Sequence, residues 1–298
     1  MLKDDRTTYT QNRTSTTVEL ETAEAWAAAL AEAGYLADDG MTAMVQLAVT
    51  LQRPLLLEGP AGVGKTALAQ ALAKVLDRDL IRLQCFEGLD AAQALYDWNY
   101  HRQLADVTAN RTADVFTEAY ILPRPLLRAL MSARGAVLLI DEVDRADEAF
   151  EALLLEYLAE HQISIPEWRT VTARVTPVTI LTSNRTRPLS DALRRRSLYH
   201  RVSWPDVDRE TAVVKLHVPN LDVGRIVKVV AAVQRLRSFD LLKPPGLSET
   251  IDWARALEAS DAADWSEAWV RRTLGCAVKD AIDMEAVLLR IRELVEDT

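Results

Sequence analysis

The pattern of apolar and polar positions divides the chain into two regimes that meet near Pro205. Before that residue, short unbroken apolar runs alternate with stretches in which apolar residues recur every three or four positions. The runs "PLLLE" (54–58), "LIRLQC" (80–85), "AVLLI" (136–140), "VTPVTILTSN" (175–184) and "YHRVSW" (199–204) are too short for helices, and each predicts or contains a strand. Residues 23–30, 41–51, 66–76 and 148–161 carry helical spacing; in the second of these, Met44, Leu47 and Leu51 are predicted to form the apolar face. Strands that alternate with helices predict an α/β fold around a parallel five-stranded sheet covered on both sides.

After Pro205 no further strand pattern occurs. Val223, Ile226, Val230 and Val233 make one helical stripe, and Met284, Val287, Leu288, Ile291 and Leu294 make another, with "KPPG" (243–246) breaking the helices between them. The stripes read as core faces of a smaller all-helical domain. The expected organisation is a polar tail at 1–20, an α/β domain at 21–204 and a helical domain at 205–298. The threonine-rich stretch 7–17 holds almost nothing to bury and is expected to be disordered.

A length of 298 residues accommodates two such domains with substantial cores. The net charge of −9 argues against a surface built to grip nucleic-acid phosphates, although Arg194, Arg195 and Arg196 form one small basic patch. Two cysteines far apart, Cys85 and Cys276, suit reduced thiols in a cytoplasmic protein better than a disulfide scaffold. The run at 136–140 stops at Asp141 and Glu142, so no membrane span is expected, and "MLKDDRTTYT" lacks the apolar core of a secretory signal. The four histidines, His101, His161, His200 and His217, are scattered without metal-ligand spacing.

Four motifs carry chemistry. In "EGPAGVGKTA" (58–67), the run Gly59, Pro60, Ala61, Gly62, Val63, Gly64, Lys65, Thr66 matches the P-loop pattern between a predicted strand and a predicted helix. Its glycines let backbone N–H groups turn inward around phosphate oxygens, and the helix continuing through Ala67 presents its positive end to the same charge. Lys65 is placed to reach the β- and γ-phosphates and the Thr66 hydroxyl to coordinate Mg²⁺, so ATP and Mg²⁺ are the expected cofactors, with GTP left open. "AVLLIDE" ends a buried strand in two carboxylates: Asp141 is expected to hold the Mg²⁺ shell and Glu142 to polarise the attacking water. Asn184 ends the next strand, where its amide could hold the water or the γ-phosphate. In "LSDALRRRSLYHR", an arginine on a short helix could reach a neighbouring subunit's γ-phosphate.

Together these motifs resemble the AAA+ ATPases: P-loop, Walker B "DE", sensor-1 Asn, arginine finger and a helical lid, over residues 40 to 298. The stretch at about 98–125 and the hairpin-like "QISIPEWRTVTARV" (about 162–175) look like the helix-2 insert and pre-sensor-1 hairpin of the MoxR family. "LIRLQCFEGLDAAQALYDWNYHRQL" and "DEVDRADEAFEALLLEYLAEHQISIPE" resemble most closely the CoxD-type proteins, associated with maturation of molybdenum-containing carbon monoxide dehydrogenase. The resemblance implies a homo-oligomeric ring, hexameric in the family, that hydrolyses ATP and works with a von Willebrand factor A-domain partner on a client metalloenzyme. It also implies Glu142, Asn184 and Arg196 as catalytic residues, with Arg194 and Arg195 as possible substitutes for Arg196. The family's sensor-2 arginine falls at Thr250, and Arg255 is the nearest substitute. On the same resemblance, Trp168 at the hairpin tip either grips a client or folds back onto the protein. Two other readings stand beside the remodelling ATPase: a nucleic-acid motor or restriction-type NTPase, and a non-hydrolysing, nucleotide-dependent assembly switch.

Overall fold

A computed structural model of the chain describes residues 20, 22–109, 111, 114–166, 168–260 and 265–295; the expectations on the N-terminal tail and on Glu167 lie outside the described residues. In chain order the elements begin with α1 (Ala23–Glu32), α2 (Asp39–Leu51), β1 (Leu55–Glu58), α3 (Lys65–Val75) and β2 (Asp79–Gln84). A segment with its own small ribbon follows: α4 (Ala91–Ala94), β3 (Tyr96–Trp98), α5 (Tyr100–Thr108), β4 (Ile121–Pro123) and α6 (Pro125–Met131). Then come β5 (Ala136–Asp141), α7 (Glu148–Glu160), β6 (Gln162–Ile165), β7 (Arg169–Thr172), β8 (Val178–Ser183), α8 (Asp191–Arg196) and β9 (Leu198–Arg201). Among the described residues, the α-helices that follow are α9 (Val207–His217), α10 (Val223–Ser238), α11 (Leu247–Ala259), α12 (Glu267–Thr273) and α13 (Ala281–Leu289).

The main sheet has the order β2-β5-β8-β1-β9, with every neighbouring pair parallel. β5 and β8 are buried at all six positions, which is why their sequences are continuous apolar runs rather than alternating ones. One core fills the side of the sheet under α6 and α7, and another fills the opposite side under α1, α2 and α3. Helices α9 to α13 close around a third core, in which Trp253, Trp265 and Trp269 pack together.

Two sequence expectations change here. α2 turns Met41, Val45 and Ala48 inward, while Leu47 and Leu51 are exposed. This helix is apolar almost all round, so periodicity alone could not choose its face. Val223, expected in the α10 stripe, is likewise exposed at the first turn, whereas Ile226, Val230 and Val233 are fully buried.

The hairpin of β6 and β7 alternates as a half-buried antiparallel pair must: Ile163, Ile165 and Val171 face the core and Ser164 faces out. Trp168 is half-buried against that core, with the Arg169 guanidinium 4.2 Å from its ring centre and ion-paired to Glu118 at 3.2 Å. Of the two arrangements open to Trp168, the folded-back one is observed. Trp168→Ala should therefore lower the melting temperature by about 4 °C, through roughly 1–2 kcal/mol of lost packing. A melting curve unchanged by the substitution would contradict that packing.

Candidate functional site

The P-loop motif lies between β1 and α3, as its pattern requires, and its backbone is held from two directions. A Cβ at Gly59 would sit 2.1 Å from the Val202 carbonyl oxygen, so only glycine admits the chain after β9 at this distance. At the loop's apex Gly62 meets Gly246, the residue before α11. A Cβ on either glycine would lie 2.8–2.9 Å from the other's Cα, and the Leu247 N–H donates to the Gly62 carbonyl at 2.8 Å. The start of α11 thus rests on the loop backbone. A cleft of about 670 Å³ opens beside it, lined by the loop, Asp141, Glu142, Asn184, Trp204 and residues of α9 and α11.

Lys65 opens α3 and is buried. Its ammonium donates to the carbonyls of Gly59 (2.7 Å) and Pro60 (2.6 Å) and to Asn184 Oδ1 (2.8 Å). Burial pulls its pKa from the ordinary 10.5 down to about 8, against the opposing pull of Asp141, Asp144 and Glu142. An amine so placed gains from an anion at the loop.

Asp141, at the end of β5, accepts from the Thr182 hydroxyl, and the Thr66 hydroxyl lies 3.4 Å from both its carboxylate oxygens. Glu142 takes a left-handed backbone (φ 53°), which turns its side chain out of the strand's alternation. Its N–H donates to Thr182 Oγ1 at 2.9 Å, and its carboxylate meets the Asn184 amide at 3.4 Å. Lys65 with Thr66, Asp141 with Glu142, and Asn184, three stretches distant in sequence, are therefore one constellation. The glycine cradle, the buried ammonium and the hydroxyl–carboxylate pair fit a nucleotide phosphate chain with Mg²⁺, a cation that takes oxygen donors.

Two neighbours were missed in the sequence. Asp144 is buried and accepts from the Asn184 N–H (3.2 Å) and from the Thr186 N–H and hydroxyl (2.7 Å each). Burial alone would raise its pKa, but these bonds hold it below the ordinary carboxylate value and fix the turn that carries Asn184. Its signal was present as the third acid of "DEVD". The other is Arg82, whose Nη2 donates to Asp141 Oδ2 at 2.6 Å.

The three arginines of α8 differ. Arg194 lies 3.7 Å from the buried carboxylate of Glu58, which also pairs with Arg185. Arg196 Nη1 donates to the Leu155 carbonyl at 2.7 Å. The Arg195 side chain is exposed and makes no hydrogen bond or ion pair among the described residues.

On the helical side, Thr250 is fully buried; its hydroxyl donates to Glu210 Oε1 at 2.7 Å rather than facing the cleft. Arg255 pairs with Asp252 on an exposed face of α11 and is not among the cleft's lining residues. A buried network stands where a lid arginine was sought. Arg237 makes a bidentate pair with Glu210 (2.7 and 2.8 Å), donates to the Pro245 carbonyl and lies 4.3 Å from the Trp204 ring centre. It braces the turn that delivers Gly246 to the loop. Arg237→Ala would leave Glu210 charged and uncompensated, so unfolding in denaturant should show a loss of about 3 kcal/mol. An apolar replacement of both partners should recover most of it; equal loss in the single and double variants would contradict this account.

Residues 54–197 match the model of the AAA domain, dynein-related subfamily. Over 267 residues the chain is 27% identical to gas vesicle ATPase GvpN2 of Halobacterium salinarum, covering 84% of this chain and 75% of that protein. Over 254 residues it is 25% identical to an uncharacterized protein of Staphylococcus saprophyticus, covering 82% of this chain and 91% of that one. The solved structure of the Thermotoga maritima RuvB Holliday junction branch migration motor aligns over 82% of this chain and 68% of its own, at 20% identity and a TM-score of 0.45. Among the described residues, no helix is long and apolar enough to cross a membrane.

Proposed function

We propose that the AAA domain at residues 54–197 binds ATP with Mg²⁺ and hydrolyses it, and that a homo-oligomeric ring of such chains uses the hydrolysis to remodel a client protein. The observation that carries this reading is the buried Lys65 ammonium, shared between the P-loop carbonyls and Asn184 in the cleft that also holds Asp141 and Glu142. The N–H groups of residues 61–66 bind phosphate oxygens, and Lys65 exchanges its carbonyl partners for them. Thr66 and Asp141 hold Mg²⁺, which supplies charge neutralisation along the phosphates. Glu142 orients the attacking water and accepts its proton, with the Asn184 amide steadying the carboxylate. The helices after Pro205 act as a lid, resting on the loop through Gly62 and Gly246.

The client is a finer matter. On the CoxD-type resemblance it is a carbon monoxide dehydrogenase-like molybdenum enzyme, engaged together with a von Willebrand factor A-domain protein. GvpN2 is by its name an ATPase of gas vesicles, and the likeness supports hydrolysis without choosing between such clients. Phosphate release by the purified chain, with ATP and Mg²⁺ and no nucleic acid, tests the core of the reading. Steady release supports it. Tight ATP binding without release would make the protein an assembly switch, and release only with DNA or RNA would make it a nucleic-acid motor.

A further inference from the structure

Asp141 is the carboxylate best placed to hold a metal ion, yet it already carries a cation of the protein's own. Arg82 stands on β2, the edge strand beside β5, in a register that pairs Gln84 with Asp141 and puts Arg82 two residues earlier on the same face. Its Nη2 donates both to Asp141 Oδ2 and to Gln84 Oε1, each at 2.6 Å. The two ends of the pair differ in burial: the Asp141 side chain is 6% exposed and the Arg82 side chain 54%. The carboxylate is therefore fixed while the guanidinium is free to leave. Its departure would not disorder Asp141, because Oδ1 stays bound to the Thr182 hydroxyl and both oxygens stay near Thr66. Arg82 also lines the cleft, so its exit leads into solvent rather than into a packed core.

We propose that Arg82 is a resident counter-ion of Asp141 that Mg²⁺ must displace, and that it thereby sets the Mg²⁺ concentration at which the site loads. This rests on the reading of Thr66 and Asp141 as the metal-holding pair. A carboxylate left bare among Glu142 and Asp144 would repel its neighbours, and the guanidinium relieves that repulsion until a stronger cation arrives. One oxygen cannot serve both cations without bringing like charges together, so occupancy by one opposes the other. Arg82 touches neither substrate nor reacting atoms in this scheme; it is a positioning residue that acts through Asp141.

The test is a Mg²⁺ titration of the full chain holding a fluorescent ATP analogue, started in excess chelator and followed by the analogue's fluorescence. Arg82→Gln should need up to about fivefold less Mg²⁺ at half-change than wild type, the size of a half-exposed ion pair. Arg82→Lys, which keeps the charge, should stay near wild type and guards against a folding defect in the first variant. Arg145→Gln removes a positive charge 3.7 Å from Glu142 without touching Asp141, and it should not shift the midpoint. An unchanged or higher requirement in Arg82→Gln, or an equal shift in Arg145→Gln, overturns the proposal and leaves the metal site standing. Fluorescence that ignores Mg²⁺ in every protein, wild type included, overturns the metal site and this proposal together.

Discussion

Glu142→Gln protein should bind ATP and hold it, with turnover lowered about 10³-fold, whereas Lys65→Ala protein should fail to bind the nucleotide at all. The difference follows from what each side chain touches. Lys65 is buried against the P-loop carbonyls and is the cation a phosphate would meet first, so its removal strikes the ground state. Glu142 stands clear of the loop, turned out by its left-handed backbone and steadied by Asn184, and its loss strikes only the step in which water attacks. Filter binding of labelled ATP, beside steady-state phosphate release, separates the two. Comparable loss of binding in both variants would sink the division of roles.

The second large effect is expected at α8. If an arginine there stabilises charge on a neighbouring subunit's γ-phosphate, its removal should lower turnover about 10³-fold and leave nucleotide binding by the single subunit intact. The family pattern names Arg196, but that guanidinium is engaged by the Leu155 carbonyl, and releasing it costs roughly 1.5–3 kcal/mol. Arg194 is drawn toward Glu58. Arg195 alone of the three is unengaged among the described residues, so the greater loss is expected in Arg195→Ala. Mixing that variant with wild type should depress activity by more than its share, because each inactive arginine silences a neighbour. Full turnover in all three single variants would remove the trans-arginine mechanism altogether.

The core of the candidate site was legible because its residues are tied to local pattern. The P-loop has fixed spacing between a strand and a helix, and Asp141 and Asn184 each end or follow an apolar run, so a one-dimensional reading places them at one sheet edge. What escaped depends on the third dimension. Arg82 reaches Asp141 across the β2–β5 register, 59 positions along the chain, which nothing near either residue announces. The buried face of α2 could not be chosen while Met41, Met44, Val45, Leu47, Ala48 and Leu51 offered two adjacent apolar stripes. Thr250 was reached through the sensor-2 position that the resemblance implies, but its burial against Glu210 depends on Arg237, brought in by another helix.

The contact between Gly62 and Gly246 has a mechanical consequence. Most interfaces between moving parts are made of side chains, which tolerate a small slip by changing rotamer. Here backbone meets backbone, with one backbone hydrogen bond from the Leu247 N–H to the Gly62 carbonyl and no side chain on either glycine to take up a displacement, while the Glu249 carboxylate holds the Gly246 N–H at 2.9 Å. Such a joint behaves as a detent rather than a bearing: it is seated or it is not. A P-loop that shifts its apex to admit phosphate cannot slide beneath the start of α11 but must lift it. The Glu210–Arg237 brace would carry that lift as one step into the whole helical body rather than letting it dissipate in the turn.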